Sequence, residues 1–277
     1  MMHVLSTDGV TIAVHDMGGR GEPLLLCHAT GLHARSYEPL AAQLVSHFHV
    51  WGLDFRAHGD STAPDNDRFH WDGFAEDLRN VIDALDAQPI SVFGHSLGGG
   101  VSMLAEHRRP GTLRSAFFFE PIVVPAVEGV LPGGPSAMSE SARRRRRTFP
   151  STAAALHRYA SRPPLNELRA DSLFAYVEHG FRATDDGAVE LKCLPEHEAA
   201  TFAAEGKPTL ATAAHVETPT TIAIGTTQEG WTPATFGPAI VESLSNGRLE
   251  VHDTLGHFGP LQDPVAVAAS IVAAGHG

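Results

Sequence analysis

Residues 90–100 read ISVFGHSLGGG, an apolar run that ends in a collar of glycines around one serine. Two demands could put glycines there: a turn that needs them, or a serine seated where bulkier neighbours would collide. The flanks discriminate between the two. Residues 90–95 have the length and apolar content of a buried strand, and residues from about 98 to 109 read as a helix that Pro110 stops. Gly94-His95-Ser96-Leu97-Gly98 thus fits G-x-S-x-G between a strand and a helix, a setting that lifts a serine hydroxyl clear of a sheet. Such a turn strains the serine backbone, and the helix start aims unpaired N–H groups and a positive dipole end at it. Ser96 is therefore expected to be a nucleophile rather than a residue of a structural turn.

Outward from this turn, strand-like and helix-like segments alternate. The Asp8-Gly9 pair splits residues 3–16 into two short strands, a hairpin signal. Apolar runs at 23–29 and 49–54 flank a helix-like stretch at 37–48. In residues 70–87, Trp71, Phe74, Leu78, Ile82 and Leu85 recur at steps of three and four with charges between them, which predicts an amphipathic helix. SAFFFEP (115–121) follows the helix after Ser96. The tail repeats the rhythm: TTIAIG (220–225), a helix, GRLEVHD (247–253), then Asp263-Pro264 as cap and first-turn proline of a last helix. Short apolar strands alternating with helices predict an α/β fold with a mostly parallel central sheet buried on both faces.

Residues 122–217 break the rhythm. They open Pro/Gly-rich, carry five arginines at 143–147, and are helix-like but poor in strands. The expected organisation is a core of residues 1–121 and 218–277 with 122–217 inserted as a mainly helical cap. Five consecutive arginines span more than one helical turn, so their charges cannot all face one pocket, and a solvated face is expected there. Phe174, Tyr176, Phe181 and Phe202 are expected in the interior of the cap, and Cys193 as a small buried residue.

A formal charge of −12, from 32 acids against 20 bases, speaks against nucleic acid or an anionic membrane surface as partner. No run approaches the ~18 apolar residues of a membrane span, and residues 1–19 have no secretion-signal pattern. Two cysteines, Cys27 and Cys193, make no disulfide framework. A cytoplasmic protein acting on a small molecule is expected, with a homo-oligomer left open.

A serine hydroxyl needs a histidine to take its proton, and that imidazole needs an acid to orient it. With 17 histidines, residue type alone selects nothing. The chain order Ser, acid, His for this turn asks for a histidine on the loop after the last strand. His252 falls inside the strand pattern, whereas His257 lies beyond it between Gly256 and Gly259-Pro260, so His257 is the candidate.

In this order, LLLCHATG (24–31), LDFRAHGDS (53–61), GHSLGG (94–99) and LGHFGPLQDP (255–264) resemble the α/β-hydrolase superfamily over about 1–121 and 218–277. The resemblance implies a cofactor-independent hydrolase fold whose cap varies between members. It also implies an acid on the loop after TTIAIG, commonly as G-x-x-D, but this chain has Gly225-Thr226-Thr227-Gln228. Gln228 cannot carry charge, and Glu229, one residue too far along, stays the runner-up. Glu120 is the better candidate, at the carboxyl end of the strand after the nucleophile helix, where parallel sheets gather active-site groups. Some haloalkane dehalogenases and lactone hydrolases of the superfamily resemble this chain in carrying a glutamate there.

Oxyanion donors are expected at the amides of Leu97 and, by the family's H-G-x-G pattern, Thr30 in His28-Ala29-Thr30-Gly31; Ala29 replaces the usual glycine. His28 reads as a brace for this loop, and Asp54, Arg56 and His58 as a structural set. No metal motif, dinucleotide fingerprint or P-loop is present, so no cofactor and no metal are expected. The expected chemistry is hydrolysis of a carboxylic ester or lactone of a small apolar molecule through an acyl-Ser96 intermediate. C–C bond cleavage, amide hydrolysis or perhydrolysis with the same residues remain open, as does a binding or receptor role with little turnover.

Overall fold

The computed structural model describes residues 1–66, 68–125, 133–227 and 232–275. Strands β1 (Met2–Leu5) and β2 (Thr11–Gly18) pair antiparallel around a turn in which Asp8 takes a positive φ of 58°. β3 (Pro23–Cys27), α1 (Glu38–Leu44), β4 (His49–Leu53), α2 (Trp71–Ala84), β5 (Ile90–His95), α3 (Leu97–Arg108) and β6 (Leu113–Phe119) then follow. The segment after β6 carries α4 (Ala137–Arg143), β7 (Thr148–Phe149), α5 (Thr152–Ala160), α6 (Ala170–His179), β8 (Phe181–Ala183), β9 (Val189–Leu191), α7 (Pro195–Ala203) and α8 (Leu210–Ala213). β10 (Thr220–Gly225), α9 (Gly237–Ser243), β11 (Gly247–His252), α10 (Gly259–Gln262) and α11 (Pro264–Ala274) complete the chain.

Among the described residues, eight strands form one sheet in the order β1-β2-β4-β3-β5-β6-β10-β11. Every pairing from β4 onward is parallel, and β2 joins β4 antiparallel. Burial on both faces explains why the strands read as unbroken apolar runs. In β3, Leu25 and Cys27 enter one core with Phe74, Leu78 and Val101, while Leu24 and Leu26 enter the other with Leu40, Val267 and Ile271. The stripe foreseen on α2 is buried, with Trp71, Phe74, Leu78 and Ile82 all against the sheet. Each such side chain contributes about 1.5–3 kcal/mol when fully buried. Asp263 caps α11, its Oδ1 accepting from the Ala266 amide at 3.0 Å.

Strand order reverses between β3 and β5: β4 extends the sheet on one side of this pair and β6 on the other. Loops leaving the two strands diverge there and open a crevice at the carboxyl edge, the position where such sheets bind ligands. The segment between β6 and β10 differs from its strand-poor reading in one respect. β7, β9 and β8 form a small antiparallel sheet of two- and three-residue strands, too short for a two-residue period to show in the sequence. Of the four aromatic residues expected in its interior, Tyr176 and Phe181 are buried, and Phe202 lines a cavity. Phe174 is 56% exposed, against expectation, because it lies on the outer side of α6 while Leu173, Tyr176 and Val177 take the inner side.

Candidate active site

Ser96 sits between β5 and α3 with φ 53° and ψ −110°, a left-handed conformation that costs a non-glycine residue of order 1–3 kcal/mol. The surroundings hold it there. The Ser96 amide donates to the Phe119 carbonyl at 3.0 Å, and its carbonyl accepts from Ile122 and Gly100. The glycine collar serves close approach rather than unusual torsions. A Cβ on Gly98 would lie 2.2 Å from the Cys27 carbonyl oxygen, and one on Gly94 would lie 2.6 Å from the Gly99 Cα. Helix α3 is thereby drawn against β3 and the loop after it, and the Gly98 amide donates to the His28 carbonyl at 3.1 Å.

Residues 28–31 form that loop. His28 is fully buried; its Nδ1 lies 2.8 Å from the Ala29 carbonyl and its Nε2 accepts from the Phe55 amide at 2.9 Å. Burial pushes its pKa down to about 3, so it is a neutral brace. Gly31 turns the loop with φ 76°, pressed against the Glu198 carboxylate. The amides of Thr30 and Leu97 donate no hydrogen bond to any described residue.

Glu120 follows β6 with φ 44° and is 1% exposed. Its Oε1 accepts from the Gly225 amide at 3.0 Å and its Oε2 from His257 Nδ1 at 2.7 Å. The last residue of β10 thus supplies a donor to the carboxylate. Gln228 and Glu229 lie outside the described residues. With Nδ1–H committed to Glu120, the His257 Nε2 lone pair is free to accept, and its ring centroid is 5.0 Å from that of His95, the residue before Ser96. No hydrogen bond links Ser96 Oγ to His257 among the described residues, and such contacts commonly tighten only around a substrate.

One connection had no signal in the sequence. Tyr37 Oη accepts from the Ala29 amide at 3.2 Å and donates to His95 Nδ1 at 2.6 Å, and His95 Nε2 donates to the His257 carbonyl at 2.7 Å. Desolvation, with the neighbouring His257 ring, holds the His95 pKa well below its ordinary value, so the ring is neutral, as these roles require. The chain ties the Ala29–Thr30 loop to the backbone of His257. A tyrosine in a helix-like stretch gives no hint of partners 58 residues away.

The set at 54–58 is structural in its contacts. Asp54 accepts from the Ala34 and Asp60 amides, each at 2.8 Å, and from His15 at 2.9 Å. Burial raises its pKa, yet the bond to His15 outweighs that and leaves the carboxyl well below its usual range. Arg56 pairs with buried Asp77 at 2.7 Å. Cys27 and Cys193 are buried free thiols.

Over this corner lies a cavity of about 490 Å³ reaching from Thr30 and Phe258 to the inserted segment. The arginine run is not simply a solvated face. Arg145 turns inward and binds Glu198 and the hydroxyls of Tyr176 (2.6 Å) and Tyr159 (3.3 Å). Arg147 pairs outward with Glu190 and Glu196, and Arg144 and Arg146 line the cavity. His33 fastens the segment to the sheet, its Nε2 3.0 Å from the Tyr176 carbonyl.

A family model for the alpha/beta hydrolase fold matches residues 22–264. Among curated proteins, an (E)-2-((N-methylformamido)methylene)succinate hydrolase of Acinetobacter baylyi is 33% identical over 96 residues, 35% of this chain and 36% of that one. The non-heme chloroperoxidase CPO-A1 of Kitasatospora aureofaciens is 32% identical over 117 residues, 42% of each. These matches span well under half of either relative's length. The structure of an E-2-(acetamidomethylene)succinate hydrolase superposes over all of this chain and 98% of its own, with a TM-score of 0.77 at 20% identity. An esterase of Exiguobacterium antarcticum superposes over all of this chain and 99% of its own, with a TM-score of 0.74 at 20% identity. Sheet order, strained serine turn and family match coincide along the chain, which belongs to the α/β-hydrolase fold family.

Proposed function

We propose that the protein is a serine hydrolase that cleaves a carboxylic ester or lactone of a small molecule through an acyl-Ser96 intermediate, with residues 122–217 as its cap. The observation that carries this reading is the 2.7 Å contact of His257 Nδ1 with the buried Glu120 carboxylate, beside a serine held at φ 53°. Glu120 fixes the tautomer of His257, whose Nε2 takes the Ser96 proton as Oγ attacks the acyl carbon. Negative charge that develops on the acyl oxygen meets the free amides of Leu97 and Thr30, each worth about 10²–10³ in kcat. The intermediate collapses, His257 protonates the leaving alkoxide, and then activates a water that releases the acid and restores Ser96. Ester and lactone fit because each offers an acyl carbon and an alcohol leaving group. The family's hydrolases and the esterase neighbour support the reading. Buried free thiols fit a cytoplasmic setting.

Intact mass after exposure to a fluorophosphonate tests the proposal. One adduct that maps to Ser96 and is missing from Ser96→Ala is expected, together with a fall in ester turnover of about 10⁴-fold or more in that variant. A folded wild-type protein that takes no label and turns over no ester overturns the proposal in favour of a binding protein.

A further inference from the structure

The chain is strongly acidic, yet the cavity that runs from Thr30 and Phe258 to the inserted segment is walled by arginines: Arg144, Arg145, Arg146, Arg158 and Arg162 line it against a single carboxylate, Glu198. Their states differ. Arg145 is spent on Glu198 and two tyrosine hydroxyls, and Arg146 donates to the Thr148 carbonyl at 2.8 Å while stacking over Phe149. The side chains of Arg144, Arg158 and Arg162 make no hydrogen bond, ion pair or ring contact to any described residue. They stand on two separate parts of the inserted segment, the end of α4 and the end of α5, and converge on one cavity.

From this, and resting on the hydrolase reading, we propose that the substrate carries a carboxylate, held in the cavity by Arg144, Arg158 and Arg162 while its ester or lactone group reaches Ser96. A guanidinium offers paired donors that match a carboxylate's two oxygens. A concave basic site on an acidic body also concentrates anions at its mouth. A cavity of about 490 Å³ suits a small organic acid rather than a polymer. The Arg145–Glu198 pair sets the limit of the site: it abuts Gly31, beside the Thr30 amide, and cancels charge where the oxyanion forms. The anion is therefore drawn to the arginines away from the reacting carbonyl. These arginines face water, so their pull is screened and the expected effect is moderate.

The test compares the 4-nitrophenyl half-ester of adipate with 4-nitrophenyl methyl adipate, the same chain with its charge capped. The wild type is expected to favour the anionic ester in kcat/KM by about tenfold at low ionic strength. That ratio should fall towards one in Arg158→Gln/Arg162→Gln and in 0.5 M salt. Arg20→Gln, a change of equal charge at the opposite sheet edge, should leave the ratio intact. In parallel, calorimetry on Ser96→Ala reads adipate against neutral adipamide without any chemistry. Adipate binding that weakens about tenfold with the double arginine change supports the site even if neither ester turns over, an outcome that would overturn only the hydrolase reading. Ester turnover without charge preference, or adipate binding indifferent to the arginines, overturns the carboxylate site and leaves the hydrolase reading standing.

Discussion

The corner at the sheet's carboxyl edge and the cavity wall above it are built on opposite terms. Around Ser96, Glu120 and the 28–31 loop, nearly every polar group is buried and bonded, and glycines bring backbones to contact. On the wall, arginines reach toward water, several with no side-chain partner among the described residues. A group that must meet a reacting atom within tenths of an ångström needs the rigidity of the first arrangement. A group that only attracts and holds a charge works from the second.

The largest expected effect that could break this contrast is Glu120→Gln. The carboxylate presents two acceptors, one to the Gly225 amide and one to His257 Nδ1–H. An amide has a single acceptor oxygen, so one of those donors must face an NH₂ group. Turnover should fall by about 10³–10⁴-fold, as expected when an orienting carboxylate becomes an amide, while fluorophosphonate labelling slows in parallel. If Glu229→Gln is the change that abolishes turnover and Glu120→Gln leaves it near wild type, the acid belongs to the loop after β10.

A second effect separates the two regions by pH. Arginines keep their charge across the whole accessible range, whereas burial holds His28, His33 and His95 neutral in and beside the tight corner. Burial pushes His28 down to about 3 and His33 to about 4, and His95 well below its ordinary value. Below about pH 6.5 the unfolded chain takes up protons that the folded chain refuses, so stability is full above that value and falls as pH drops towards the folded pKa values. Each histidine costs about 2 kcal/mol by pH 5 on this linkage. Three together would lower Tm by about 10–20 °C between pH 7.5 and 5, measurable by calorimetry. A flat Tm over that range would mean that these rings are charged or hydrated in the fold.

The same contrast explains what could be read from the sequence. Strands, α2 and the Ser96 turn declare themselves because burial and torsion act over a few consecutive residues. His257 was chosen by chain order, and Glu120 by its place at the carboxyl end of the strand after the nucleophile helix. In the arginine run the solvated face was legible, Arg143, Arg144, Arg146 and Arg147 being exposed, but such a run says nothing of which partner each will find. Arg145 turns inward only because Glu198 and Tyr176, 53 and 31 residues away, close around it. Tyr37 was silent for the same reason: its partners are distant in sequence and its own segment looks like an ordinary helix start.

Tyr37 also offers the finest probe of the tight corner, through Tyr37→Phe. The change keeps the ring and removes one oxygen that serves both the Ala29 amide and His95 Nδ1. Both would be left buried without a partner, at about 1–3 kcal/mol for each group. The Ala29–Thr30 loop and the His257 carbonyl would then lose their shared anchor, though Gly98 still holds the His28 carbonyl and Glu120 still holds the His257 ring. With two of these ties intact, kcat should drop about tenfold with KM little changed, a split that general destabilisation would not produce. A drop of 10³-fold would mean that the network positions the oxyanion donors almost alone. An unchanged kcat in a less stable protein would mean that the glycine-packed backbone suffices, and that Tyr37 and His95 serve only the fold.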